Sequence, residues 1–241
     1  MGTVSAIVSA YYAEEYLEGR LANLTAQTPQ PEIVVICKRE SREHDITLDF
    51  MRRNDAAITV IVTDDIPTVY KAWNVGIEAA SGDFITNSNC DDRLYPGALA
   101  KLAAAMDGNK KYSVAYANVD IVETIGGAPV GRYEWAEGGI QALMTGCFLG
   151  PMPMWRKSLH AKYGGFDADM HSAGDYEFWM RLAKAGEKFF HVRECVGAYL
   201  KRPNSAEHRF KLRSIWEQAR ARGRYREGVT ELWTTPKAMT D

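Results

Sequence analysis

The chain opens with a short apolar run over residues 5–10 and then changes period, with Tyr16, Leu17, Leu21 and Leu24 recurring at helical spacing. This predicts a strand followed by a helix, because strand side chains alternate between faces whereas helix neighbours return every three or four positions. Two β-branched runs follow, EIVVIC (32–37) and ITVIV (58–62), each bounded by polar residues. Continuous apolar runs of this length predict strands covered on both faces, as in a parallel sheet. Val69, Ala72, Trp73, Ile77 and Ala80 mark the apolar face of a helix that the SGD turn at 81–83 ends, and DFITNSN (83–89) reads as a fourth strand. Pro96 suits the first turn of a helix running through Leu99, Leu102 and Met106 to Gly108.

Strand and helix thus alternate through about residue 106, which predicts an α/β fold with a doubly wound, mostly parallel sheet. Such sheets bind ligands beyond the carboxyl ends of their strands, where the strand order reverses. Beyond this point the pattern predicts a mixed strand region at 112–124, a Gly-rich connection at 126–131 and a helix from about Trp135 to Met144. An amphipathic helix from Tyr176 presents Phe178, Trp179, Leu182 and Ala183, ends near Gly186 and leads into the strand-like FFHVRECVGAYL (189–200). There is no internal repeat and no low-complexity segment.

Composition narrows the class. The 241 residues are 46% hydrophobic and 25% charged, which excludes a disordered or collagenous chain. A formal charge of -2 marks no global nucleic-acid or membrane binder. No apolar stretch approaches the roughly 20 residues needed to cross a bilayer. The N-terminus lacks a basic region ahead of its apolar residues and also a myristoylation pattern, so a cytoplasmic location is expected. Cys37, Cys90, Cys147 and Cys195 lie far apart without metal-ligand spacing, predicting reduced thiols. Cys37, Cys147 and Cys195 read as buried small hydrophobes. Between 201 and 227 nine basic residues face three acidic ones. Leu212, Ile215, Trp216 and Ala219 would dock a helix there, leaving the basic residues as a solvated face or as a contact for an anionic acceptor, a lipid diphosphate or an acidic membrane.

The densest chemistry lies at 70–99, where Asp91 and Asp92 follow directly on the fourth strand. Adjacent carboxylates at a strand end suit a hard divalent cation, Mg²⁺ or Mn²⁺, which takes one or two carboxylates and leaves its other positions to water and phosphate oxygens. They serve equally well as helix caps or in a solvated turn.

The wider spelling resembles the family two inverting glycosyltransferases of the GT-A fold over roughly residues 4–200. The resemblance rests on SAYYAEEYL and LANLTAQT, on AWNVGIEAASGDFI, on NCDDRLYPGAL in place of the usual DSDDxxxPGAL, and on WRKSLHAKYGGFDADMHSAGDYEFWMRLAKAG. It implies a GT-A domain over 1–200, with a nucleotide-binding half (1–106) and an acceptor half (107–200); the charge and apolar pattern beyond it predicts a basic C-terminal helical extension (201–241). It also implies metal-dependent transfer of a sugar from a nucleoside diphosphate sugar to an acceptor hydroxyl, in polysaccharide or glycoconjugate synthesis. A non-catalytic nucleotide-sugar binding module and a nucleotidyltransferase are the alternatives; for the second, SAYYAEEY lacks the Gly and basic residues of a phosphate loop.

By position, the resemblance makes Asp91 the metal ligand, with Asp92 as second ligand or support and Asn89 in place of the first acid of the DxD motif. Asp175 matches the Asp of the ED motif, the general base, and Gly174 stands where the family often has Glu; apart from the resemblance, Asp175 is a carboxylate at a helix start. Tyr11, Glu14, Glu40, Tyr70 and Asn74 fall on the nucleotide side, where CKRES (37–41) departs from the usual acidic turn. Trp155, His171, Arg202 and His208 fall toward acceptor or diphosphate. Trp73 and Cys90 are assigned to packing.

Overall fold

A computed structural model describes residues 2–64, 68–202 and 211–227. Its sheet runs in the order β3 (Ile58–Thr63), β2 (Glu32–Lys38), β1 (Val4–Ala10), β4 (Phe84–Asn87), β8 (Met154–Arg156), β6 (Tyr112–Val122), β9 (Lys188–Leu200), β5 (Arg93–Leu94), with β7 (Gly131–Tyr133) beside β6. The first four strands pair in parallel, as do β6 and β9, while β5, β7 and β8 run antiparallel to their neighbours. The order reverses at β1, with β2 on one side and β4 on the other. That reversal fixes the crevice outside the carboxyl ends of β1 and β4, lined by the residues that follow Ala10 and Asn87.

Helices cover both faces because both faces of the inner strands are apolar. On one side α1 (Glu14–Thr25), α2 (Arg42–Asn54) and α4 (Ala98–Asp107) bury Leu17, Leu21, Leu24, Phe50, Leu99, Leu102 and Met106 against Ala6, Val8, Ile33 and Val35. On the other, α3 (Val69–Ala79) and α7 (Gly174–Lys184) bury Trp73, Ile77, Phe178 and Trp179 with Ile7, Ile36 and Trp155. Truncating one of these buried tryptophans to alanine costs about 3–5 kcal/mol. Gly76 shows how closely the second layer approaches: an added Cβ would stand 2.6 Å from an Ile7 methyl carbon.

Several elements differ from the sequence pattern. Helix α2 has no broad apolar stripe; it buries only Glu43, Thr47 and Phe50 and starts at a Ser41 cap. Pro96 lies just before Gly97, the left-handed cap residue of α4, rather than inside the helix. The helix expected from Trp135 shrinks to α5 (Ile140–Leu143), because Gly138 and Gly139 precede it and Trp135 stacks instead on Tyr133 at 4.8 Å. Residues 112–122 form one strand. All four cysteines are free thiols; Cys147 is exposed and Cys195 half-buried, so neither is the buried hydrophobe its neighbours suggested.

The C-terminal helix α8 (Lys211–Tyr225) packs on α7 through the face opposite to the expected one. Ser214, Glu217 and Ala221 are buried there, while Leu212, Ile215 and Trp216 face solvent. The reason is polar: Glu217 is drawn inward by backbone amides at the start of α7.

Candidate active site

Two half-buried carboxylates stand at the carboxyl edge of the sheet. Asp91 follows β4, next to the reversal. Asp175 lies in the first turn of α7 and accepts a hydrogen bond at 3.0 Å from Tyr70, whose helix α3 follows the carboxyl end of β3. Among the described residues no group of three or more His, Cys, Asp and Glu side chains is arranged to hold a metal. A cation that takes one or two carboxylates and fills its shell with phosphate and water needs no such group.

The turn after β4 shows why its two acids are not equivalent. Asp92 is 1% exposed; Asn89 Nδ2 donates to one of its oxygens at 3.1 Å and the Leu200 amide to the other at 3.3 Å. Buried Arg20 and neighbouring Arg93 both donate to the Asp92 carbonyl. Burial, with the Asp91 charge beside it, raises the Asp92 carboxyl above the usual carboxylate range. The Asp92 oxygens are enclosed and anchor the turn to β9, which is the supporting role expected for it beside Asp91. Asp91 remains at the surface and pairs with Arg202, whose guanidinium also lies 4.9 Å from the Tyr16 ring centroid. A partly exposed carboxylate can offer an oxygen to a divalent ion if it exchanges Arg202 for it, and the Asn89 amide, held through its nitrogen, leaves an oxygen as a second donor. Among the described residues, three buried polar atoms on this edge, Tyr11 Oη, Ser88 Oγ and Arg202 Nε, have no hydrogen-bond partner, as expected where a polar ligand completes the site.

The loop after β1 carries Tyr11, whose hydroxyl is pushed up to about 12 by burial and by the charges of Cys37 and Glu43. Tyr12 beside it is 97% exposed at a left-handed φ of 53°. Helix α1 has no side-chain cap of its own. Glu43 of α2, buried, supplies one by accepting from the Ala13 amide at 2.9 Å. Glu14 is exposed in the first turn of α1, and Glu40 is exposed at a φ of 53° after β2. Arg39 pairs with Asp64 at 3.3 Å.

The start of α7 is held differently. Glu217, 2% exposed, accepts from the Ser172 and Ala173 amides at 2.8 and 3.0 Å and from His171 N–H at 3.0 Å, with Arg213 3.4 Å away. Three successive amides converging on one carboxylate satisfy donors that a helix start otherwise leaves open. Gly174 explains itself: an added Cβ would lie 2.7 Å from the Tyr70 ring, so the residue before Asp175 has no room for a side chain. Tyr70, placed on the nucleotide side by the sequence, is 3% exposed and donates its hydroxyl to Asp175, which orients the acid. The Asn74 amide bonds both the N–H and the carbonyl of Phe166 at 2.8 Å. Trp155 is 1% exposed, with Nε1 bonded to His160 Nε2 at 2.8 Å, and has no surface for an acceptor. His171 is half-buried just before Asp175. His208 lies outside the described residues. Arg20, Glu43 and Glu217 carry no motif; nothing in their sequence surroundings announces the amides and carbonyl they bind.

Two cavities, of about 690 and 720 Å³, sit at the amino edge of the sheet, one beside Asp83 and Lys157, the other beside Tyr112 and Lys188. Neither includes Asp91 or Asp175.

The sequence profile described as glycosyl transferase family 2 matches residues 5–147, which contain the β1 loop and the Asn89–Asp92 turn. The chain belongs to glycosyl transferase family 2. It is 26% identical over 188 residues to an uncharacterized glycosyltransferase, YwdF, of Bacillus subtilis (strain 168), covering 75% of this chain and 68% of that one. It is 22% identical over 205 residues to the chondroitin synthase of Pasteurella multocida (strain Pm70), covering 84% of this chain but 21% of the synthase. Among solved structures, S. aureus TarS 1-349 in complex with UDP superposes with a TM-score of 0.70 at 20% identity, covering 91% of this chain and 64% of that chain. The mannosyltransferase PcManGT from Pyrobaculum calidifontis, in complex with GDP-Man and Mn²⁺, gives 0.73 at 15% identity, covering 95% and 65%. These likenesses show the GT-A fold, and this chain spans just under two thirds of either structure.

Proposed function

We propose that this family 2 member moves a sugar from a nucleoside diphosphate sugar to an acceptor hydroxyl by a single displacement that inverts the anomeric centre. Asp175 is the general base and Asp91 the ligand of a divalent cation. The observation that carries the reading is the pairing of roles along one sheet edge. Both carboxylates stand at the carboxyl edge of one sheet: Asp175, oriented by Tyr70, in the first turn of α7, and Asp91 directly after β4, beside the strand-order reversal. The macrodipole of α7 and the Tyr70 hydrogen bond both favour the Asp175 anion, the form that accepts a proton.

In the reaction, Asp175 takes the hydroxyl proton as the acceptor oxygen bonds to the anomeric carbon, and the bond to the diphosphate oxygen breaks on the opposite face. Arg202, positive and next to Asp91, faces the charge gathering on the departing diphosphate. Asp91 and the Asn89 oxygen would hold Mn²⁺ or Mg²⁺, which would supply Lewis-acid neutralisation of that charge. The complexes of TarS with UDP and of PcManGT with GDP-Man and Mn²⁺ support a donor and ion of this class.

Thermal stabilisation by UDP-, GDP- and dTDP-sugars with Mn²⁺ identifies the donor. Stabilisation that disappears in Asp91→Ala supports the reading. An Asp91→Ala protein that binds the donor with unchanged, metal-dependent affinity contradicts the ligand assignment.

A further inference from the structure

The outward face of α8 combines features that water alone does not explain. Leu212, Ile215 and Trp216 are 84%, 53% and 60% exposed within little more than one helical turn. At 100° per residue, Ala219 and Gly223 fall on the same sector, giving a strip with no acidic side chain along the helix. Exposed Lys211 follows one border of the strip and exposed Arg220 the other, while Arg213 and Arg222 beside them turn inward to Glu217 and Tyr176. The Arg220 guanidinium lies 5.5 Å from the Trp216 ring centroid. The opposite face is taken by Ser214, Glu217 and Ala221 against the body, so among the described residues the strip is not a docking surface already in use.

An apolar stripe of Leu, Ile and Trp with cations on both sides matches a bilayer interface. There the apolar side chains enter the acyl boundary, the indole sits at headgroup depth and the cations meet lipid phosphates. A groove for a protein segment would need walls, and a single convex helix has none. The chain carries a formal charge of -2, so attraction to an anionic surface must come from this local cluster rather than from the whole molecule. We propose that the outer face of α8 docks the protein on an anionic phospholipid bilayer, parallel to its plane. Because Glu217 on the inner face of the same helix holds the start of α7, docking would bring the Asp175 end of the molecule close to the membrane. The surface proposal does not rest on the transferase reading.

Flotation of the full chain with phosphatidylcholine vesicles, with and without phosphatidylglycerol, tests it. Binding is expected only to the anionic vesicles, weakening as salt rises. The triple variant Leu212→Ser, Ile215→Ser, Trp216→Ser and the double variant Lys211→Glu, Arg220→Glu should each lose about tenfold or more of it. All five side chains are exposed, so an unaltered melting temperature is expected and separates lost docking from lost folding. Absence of flotation overturns the proposal, as does equal binding to neutral vesicles or binding unchanged in the triple variant. A dimer in light scattering that the triple variant abolishes, without flotation, assigns the strip to a second copy and also overturns it.

Discussion

Two buried glutamates hold the two ends of the candidate site, and they do so unequally. Glu43 reaches from α2 to one amide, that of Ala13, at the start of α1. Glu217 reaches from α8 to three successive amides at the start of α7, from 44 to 46 positions away in the chain. The first secures a loop that carries Tyr11 and Tyr12 beside the strand-order reversal, and the second secures the turn from which Asp175 projects. The difference teaches where rigidity is concentrated. The end assigned to binding is capped by one side-chain hydrogen bond and keeps Tyr12 exposed, whereas the end assigned to chemistry is clamped by a carboxylate and oriented by a buried tyrosine.

Replacing the acids themselves sharpens the contrast most. Asp175→Asn should lower turnover by about two to four powers of ten. Donor affinity measured by calorimetry should remain near wild type; near-normal turnover would remove Asp175 as base. Next in size is Glu217→Ala, which leaves three amides around an emptied position and should cost about 3 kcal/mol of stability in urea titration. Its kcat should fall more than its donor KM changes, and Glu217→Asp should recover part of the loss. Glu43→Ala removes one capping bond and should cost about 1 kcal/mol, with its kinetic effect on donor KM. Equal stability losses in the two alanine variants would break the comparison.

The smallest effect is one of pH. Asp92 has a folded pKa raised above its unfolded value, chiefly by burial, so the folded state binds its proton more tightly. The associated stability is fully present below the ordinary carboxylate pKa and is lost as pH rises through the raised one. Melting temperatures of wild type should therefore lose an increment between mildly acid and neutral pH that Asp92→Asn does not lose. Parallel curves for the two proteins would show that Arg20 and the surrounding donors already offset the burial.

The same contrast explains what the sequence discloses. Strands β1 to β4 and helices α1, α3 and α4 announce themselves because their apolar residues follow the period of the element and pack on one another. Helix α2 does not, since what it buries is Glu43, Thr47 and Phe50 rather than an apolar stripe. Helix α8 misleads, because a rule that turns Leu212, Ile215 and Trp216 inward is overridden by the pull of three amides on Glu217. Asp91 and Asp175 are visible through the motifs around them. The enclosure of Asp92, the Asn74 clamp on Phe166 and the reach of Tyr70 to Asp175 depend on partners about 90 to 110 residues apart, which no local pattern encodes.

The division of labour proposed for Asp91 and Asp175 implies one displacement and one stereochemical outcome. Proton NMR of the first-formed product, with the donor identified by the stabilisation screen, reads the anomeric configuration directly. Inversion relative to the donor is the result predicted for a hydroxyl activated by Asp175; retention would contradict the account.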